Sequence, residues 1–147
     1  MKSNSLKLRY YPKKGVVLLF YFLLLFTLYL LFCKSEKQYT LPFAPFNIGE
    51  FYSHISNFII TYNIVAVISF IWLLQGASLK MVKWLCVFFV LINIIVELFV
   101  TVLNTPDIVD ALYGIAGILL AFSFALVLKT SGLNEIPQSV KEASTTN

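Results

Sequence analysis

Long apolar segments alternate with short polar ones along the chain and predict four helices. The apolar segments extend over residues 15–33, 55–74, 82–103 and 108–128. Each supplies about the 20 residues that an α-helix needs to cross the hydrocarbon core of a bilayer. The predicted fold class is therefore all-α integral membrane, in the form of a four-transmembrane-helix bundle.

The polar segments at the two ends of the chain divide it into three predicted regions. Residues 1–14 form a basic arm, residues 15–129 form the membrane domain, and residues 130–147 form a flexible polar tail. The first apolar segment is longer than the apolar core of a signal peptide, and no A-x-A-like cleavage site follows it. We therefore expect it to be a retained anchor.

Basic residues are distributed unevenly over the polar segments, and this asymmetry predicts the orientation in the membrane. All but two of the 11 basic residues lie in the arm, at or just after the connection between helices two and three (Lys80 and Lys83), or from residue 129 onward. The exceptions are Lys34 and Lys37, between helices one and two. Because segments rich in lysine and arginine stay on the cytoplasmic side, we predict a multi-pass cell-membrane protein with both termini cytoplasmic.

Composition excludes most soluble classes. Hydrophobic residues make up 59% of the 147 residues and charged residues 12%, and the mean hydropathy is +0.85. A soluble domain of this size could not bury so much apolar surface, so membrane lipids are the expected surroundings. The net charge of +4 is explained by the orientation, and we predict no nucleic-acid partner. Two cysteines, Cys33 and Cys86, are too few for a disulfide framework.

Glu97 is the clearest candidate for chemistry, because an ionisable group within the bilayer is costly and calls for an explanation. Asn93 precedes it by four residues, and Thr101 and Asn104 follow it by four and seven. These spacings place all four residues on one face of helix three. Lipid cannot satisfy such a polar stripe, so we expect it to point into the bundle.

Helices two and four carry polar residues at the same predicted level. His54, Asn57 and Thr61 share one face of helix two. Helix four opens with two acidic residues, which are followed by small residues that allow close helix packing: Asp107, Asp110, Gly114, Gly117, Ala121 and Ala125. We expect this packing to bring the acidic residues together near the outer leaflet. The predicted ligand-binding residues are Glu50, His54, Asn93, Glu97, Asp107 and Asp110.

Each of these residues also has a structural interpretation. Glu97 would be a protonated helix-packing residue, His54 an interfacial anchor, and the two Asp residues would favour the N-terminus of helix four. We expect Asp107 or Thr105 to cap that helix. The acids and the histidine suit a divalent cation, but their spacing matches no metal signature. We predict neither a metal nor another cofactor.

The second half of the chain resembles the VanZ-like family of small bacterial membrane proteins. The resemblance rests on the segment NIIVELF with Glu97, the segment TPDIVDALYGIAG with Asp107, Asp110 and Gly117, and the segment GEFYSHISNF with Glu50 and His54. It covers roughly residues 45 to 128. It implies a multi-pass protein of the cell envelope with a link to glycopeptide (teicoplanin) resistance.

The leading functional hypothesis is a non-enzymatic envelope protein that engages the headgroup of a lipid or of a lipid-linked cell-wall precursor. Glu97 and Asp110 would accept hydrogen bonds from the ligand, His54 would border the pocket, and Asp107 would shape the turn. An alternative is a membrane-embedded enzyme acting on a lipid-linked substrate, with Glu97, Asp110 and His54 as the catalytic candidates. A further alternative is a structural partner of another membrane protein.

Overall fold

The computed structural model describes the backbone of residues 8–35, 48–99 and 107–137. Side chains are described throughout these ranges except at 35, 48–50, 98 and 99. The predictions for Thr101, Asn104, Thr105 and the Glu50 side chain lie outside the described residues, as does the rest of the predicted tail from residue 138.

The described residues form four long helices and two short strands. In chain order these are β1 (Tyr10–Pro12), α1 (Lys14–Ser35), α2 (Ile48–Leu74), α3 (Leu79–Phe99), α4 (Ile108–Val127) and β2 (Leu133–Glu135). A π-helical turn, Leu128–Gly132, extends α4 toward β2. All four helices are long and apolar enough to cross a membrane, which confirms the predicted helical membrane architecture at this level.

Both strands lie in segments for which we predicted no secondary structure. β1 and β2 pair in antiparallel fashion, with Tyr11 opposite Asn134. The Lys13 amide donates to the Gly132 carbonyl, and the Ile136 amide donates to the Arg9 carbonyl. Backbone hydrogen bonds therefore hold residues up to 136, which lie in the predicted tail, against the arm.

This pairing fixes which helix ends share one side of the bundle. The strands bring the start of α1 and the end of α4 together, and the Arg9 amide donates to the Leu74 carbonyl at the end of α2. We call this side the terminal end. The end of α1 and the starts of α2 and α4 lie at the opposite side, the distal end.

The helix α2 is the centre of the packing. It contacts α4 most extensively and also packs against α1 and α3, while α3 packs on α4. It begins at Ile48, earlier than the predicted residue 55. The reason is that Phe51 and Tyr52 pack against the buried Leu30 of α1 and Ile55 of α2, so the apolar face of α2 extends by more than a turn.

Small residues on α4 allow the close approach of α2 and α3. Gly114, Gly117, Ala121 and Ala125 are all buried, as predicted. A Cβ atom at Gly117 would collide with the Phe58 carbonyl oxygen and the Thr61 hydroxyl, and one at Gly114 would collide with the Asn93 amide. The two glycines therefore set the distance between α4 and its neighbours.

Large apolar side chains remain exposed on the outside of the bundle. Leu18 on α1 is 73% exposed and Trp84 on α3 is 66% exposed. Water would oppose such surfaces, whereas lipid acyl chains solvate them. The packing is thus that of a protein whose outer surface contacts a bilayer.

We expect Gly117→Ala to destabilise the protein, because the added methyl group meets backbone and side-chain atoms of α2 that cannot withdraw easily. Overpacking of this kind costs about 1–3 kcal/mol. The measurement is the thermal unfolding midpoint of purified protein in one detergent. Gly15→Ala is the matched control, since a Cβ there meets nothing within 4 Å. Equal midpoints for the two variants would show that α4 does not pack this closely.

Candidate functional site: a polar cluster at the distal end

Asp107 organises the start of α4 and one border of the cluster. Its backbone is extended, with φ −137° and ψ 110°, and its side chain accepts a hydrogen bond from the Val109 amide at 2.8 Å. This is the geometry of an N-cap, which satisfies one of the unpaired amides at a helix start. The predicted capping role of Asp107 is confirmed.

His54 lies between the two Asp residues of α4. Its Nδ1 is 2.7 Å from Asp110 Oδ1 and 3.6 Å from Asp107 Oδ2. A carboxylate oxygen only accepts, so Nδ1 carries the proton and donates to Asp110. The contact joins α2 to α4 at the distal end and gives the imidazole a fixed orientation.

The exposure of the three side chains shows where this part of the cluster opens. Asp110 is 13% exposed, His54 19% and Asp107 33%. Accessibility thus increases from Asp110 toward Asp107. A ligand group approaching from the distal end would meet Asp107 and His54 first.

Glu97 forms a second, deeper part of the cluster. It is 8% exposed, and its Oε1 accepts a hydrogen bond of 2.7 Å from Asn57 Nδ2 on α2. Its Oε2 is buried and has no hydrogen-bond partner among the described residues. A buried carboxylate oxygen without a donor is costly, so this atom is suited to accept a hydrogen bond from a ligand group.

Further from the distal end than Glu97, Asn93 connects α3 to α4 and Thr61 connects α2 to α4. The Asn93 side chain is 7% exposed and donates to the Ala111 carbonyl at 2.8 Å. The Thr61 hydroxyl is 2.8 Å from the Gly114 carbonyl and also within bonding distance of the Asn57 and Phe58 carbonyls. The described polar residues of both predicted stripes therefore point into the bundle.

The structure divides the predicted cluster into two parts. The nitrogen and oxygen atoms of His54, Asp107 and Asp110 that could coordinate a metal ion all lie within 4.8 Å of one another. Glu97 is not in that group and bonds to Asn57. A spacing of 4.8 Å or less is compatible with a shared cation. Without a cation, the His54 Nδ1 atom bonds to Asp110 at 2.7 Å, and Asp107 Oδ2 lies 3.6 Å from the same atom.

Sequence reasoning missed the contacts of two residues at the distal end. The Lys34 ammonium on α1 donates to the Ser53 carbonyl at 3.1 Å and to the Ser56 hydroxyl at 2.8 Å. The ring of Tyr113 lies 5.7 Å from the His54 ring. The available signal for Tyr113 is its spacing of three residues from Asp110, which places both on one face of α4.

Comparison with known proteins found no matching family model, no similar curated protein and no similar solved structure. The resemblance to VanZ-like proteins stays a prediction.

We expect Asn57 and Glu97 to be energetically coupled, because each supplies the hydrogen-bond partner of the other within the bilayer. A double-mutant cycle with Asn57→Ala and Glu97→Ala should give a coupling of about 1 kcal/mol. The measurement is the free energy of unfolding in mixed micelles.

The matched control for this cycle pairs Asn57→Ala with Ser123→Ala. Ser123 is exposed on α4, and its hydroxyl donates to the Leu119 carbonyl of the same helix. Its effect should add to that of Asn57→Ala. Additivity in both cycles would contradict the contact between Asn57 and Glu97.

Proposed function

We propose that this chain is a non-enzymatic multi-pass membrane protein that binds the headgroup of a lipid or of a lipid-linked cell-wall precursor at its distal end. The observation that carries the proposal is the buried Glu97 carboxylate, whose Oε2 has no partner among the described residues. A ligand that donates a hydrogen bond to this oxygen would recover the cost of its burial.

The distribution of exposure supports a ligand that arrives from the membrane surface. His54 and Asp107 are partly accessible, and Glu97 lies deeper between α2 and α3. A headgroup is the chemical group that reaches this depth while its hydrocarbon stays among the helices and lipids.

In the proposed orientation both termini are cytoplasmic, and the distal end then faces the outer leaflet. The charge distribution supports this. Described residues at the terminal end include Arg9, Lys13, Lys14, Lys80 and Lys83, as expected of a cytoplasmic surface. The proposal includes the cell envelope as the site of action and, through the VanZ-like resemblance, an effect on glycopeptide susceptibility.

A membrane-embedded enzyme is the second candidate, and the contact between His54 and Asp110 favours it. A carboxylate that holds an imidazole in one tautomer is an arrangement that general bases use. The two candidates differ in the fate of the ligand: an enzyme converts its lipid-linked substrate, whereas a binding protein returns it unchanged.

We expect the native chain to protect a teicoplanin-sensitive bacterial host and Glu97→Gln to lose most of that protection. The glutamine keeps an acceptor oxygen for Asn57 but removes the ionisable group from the cluster. The measurement is the minimum inhibitory concentration at matched membrane levels of each protein.

Glu135→Gln is the control for this experiment, because Glu135 is an exposed residue of β2 at the terminal end. It should protect as well as the native chain. If neither the native chain nor any variant protects while all accumulate in the membrane, the proposed link to glycopeptides is wrong.

A further inference from the structure

An apolar groove lies between α3 and α4, toward the terminal end of the bundle. It has a volume of about 300 Å³, at the lower limit of the roughly 300–1,000 Å³ range of ligand sites in proteins. Its apolar lining includes Val87 and Val90 on α3 and Ile118 and Phe122 on α4. Among the described residues that line it, Lys83 alone is charged. The groove therefore combines a hydrocarbon surface with a single cation.

The groove is open on the outside of the bundle. Val87, Leu91 and Leu119 on its walls are exposed, with Leu119 60% exposed, whereas Ile118 at its base is buried. In a membrane these walls face lipid. An acyl chain can therefore enter the groove sideways from the bilayer, without crossing the protein.

The dimensions of the groove fit one hydrocarbon chain. Lys83 and Leu91 are the first and last residues of α3 that line it, and eight residues of α-helix span about 12 Å. A volume of about 300 Å³ over that length gives a mean cross-section of about 25 Å², or a width of about 5 Å. A helix with its side chains is about 10–12 Å in diameter. The groove is therefore too narrow to seat a helix of a second copy or of another membrane protein.

Lys83 gives the groove a cationic end. It is exposed near the start of α3 and forms no hydrogen bond or ion pair with another described residue. A lysine near a helix end lays its apolar stem along hydrocarbon and extends its ammonium toward the membrane surface. The phosphate of a lipid whose acyl chain fills the groove would lie at this ammonium.

The charges around Lys83 favour an anionic headgroup. Lys80 precedes it by three residues on the same side of α3, and among the described residues no acid pairs with either lysine. A headgroup that carries its own ammonium would bring a like charge to these lysines, whereas an anionic headgroup brings the opposite charge.

We propose that the groove between α3 and α4 binds a phospholipid with an anionic headgroup. One acyl chain lies along the groove, and the phosphate lies at Lys83. This site is at the other end of the bundle from the polar cluster, and the inference goes beyond the proposed function. In the proposed orientation the lipid belongs to the cytoplasmic leaflet, whose anionic lipids attract basic residues near helix ends.

The test is native mass spectrometry of the full chain titrated with dioleoyl phospholipids that carry glycerol or choline headgroups. We expect the anionic glycerol lipid to be retained about fivefold more tightly than the choline lipid, the effect of one basic residue near an anionic lipid surface. Lys83→Gln should remove most of this preference, and Lys83→Arg should keep it. Lys14→Gln is the matched control, because Lys14 is an exposed lysine of the terminal end on α1, and it should leave the preference unchanged.

A further pair of variants tests the groove without altering the charges. Val87→Phe places a ring in the groove and should weaken both lipids alike, so that their ratio stays the same. Val67→Phe is its control, since Val67 is exposed on α2 and is not a lining residue of the groove. It should leave the retention of both lipids unchanged.

Four results would overturn the inference. Equal retention of the two lipids by the native chain would remove the headgroup preference. An equal loss of preference in Lys14→Gln and Lys83→Gln would assign it to the general charge of the terminal end. Retention that Val87→Phe does not weaken would place the lipid elsewhere. A dimer in the native spectrum that Val87→Phe dissociates would show that a second copy covers the groove.

Discussion

The close contact between α2 and α4 is the interaction on which the rest of this structure depends. Gly117 lacks the side chain that would keep α4 away from α2, and Gly114 lacks the one that would collide with Asn93 of α3. The Thr61 hydroxyl then reaches the Gly114 carbonyl at 2.8 Å. Because α2 and α4 meet so closely there, His54, about two turns nearer the distal end of α2, reaches Asp110. The polar cluster is thus a consequence of helix packing by small residues.

The bilayer explains why the cluster takes this form. Polar groups within hydrocarbon need partners inside the protein, and three of the described contacts join two helices: His54 with Asp110, Asn57 with Glu97, and Asn93 with the Ala111 carbonyl. These contacts stabilise the bundle whether or not a ligand binds. The proposed function depends on a group that these contacts do not satisfy, namely the Glu97 Oε2 atom, which has no partner among the described residues.

The sequence was sufficient to predict the features that depend on local pattern. Apolar length predicted the four helices, helical spacing predicted that Asn93 and Glu97 face inward, and residue type predicted the cap at Asp107. Long-range features could not be predicted in this way. The pairing of Tyr11 with Asn134 joins opposite ends of the chain through strands too short to give an alternating pattern. The sequence indicates Lys34 only as a charged residue between helices one and two, because its hydrogen-bond partners, Ser53 and Ser56, lie on another helix.

The geometry of the candidate residues depends on contacts between helices. Spacing along each helix placed the acids and His54 at one level, but it could not say which residue bonds to which. That choice depends on the rotation of α2 relative to α3 and α4, which directs Asn57 to Glu97 and leaves His54 for the two Asp residues. Rotation is set by packing across all three helices and has no signature in one segment.

The most direct test of this account is cross-linking between residues 54 and 110. Cysteines would replace His54 and Asp110 in a chain lacking Cys33 and Cys86, and a short bis-methanethiosulfonate reagent would be applied to intact membranes. The account predicts an efficient cross-link for this pair and little for cysteines at 54 and 108, because Ile108 is 65% exposed and faces away from α2. Equal cross-linking of the two pairs, or none at 54 and 110, would contradict the convergence of α2 and α4 that the proposed distal site requires.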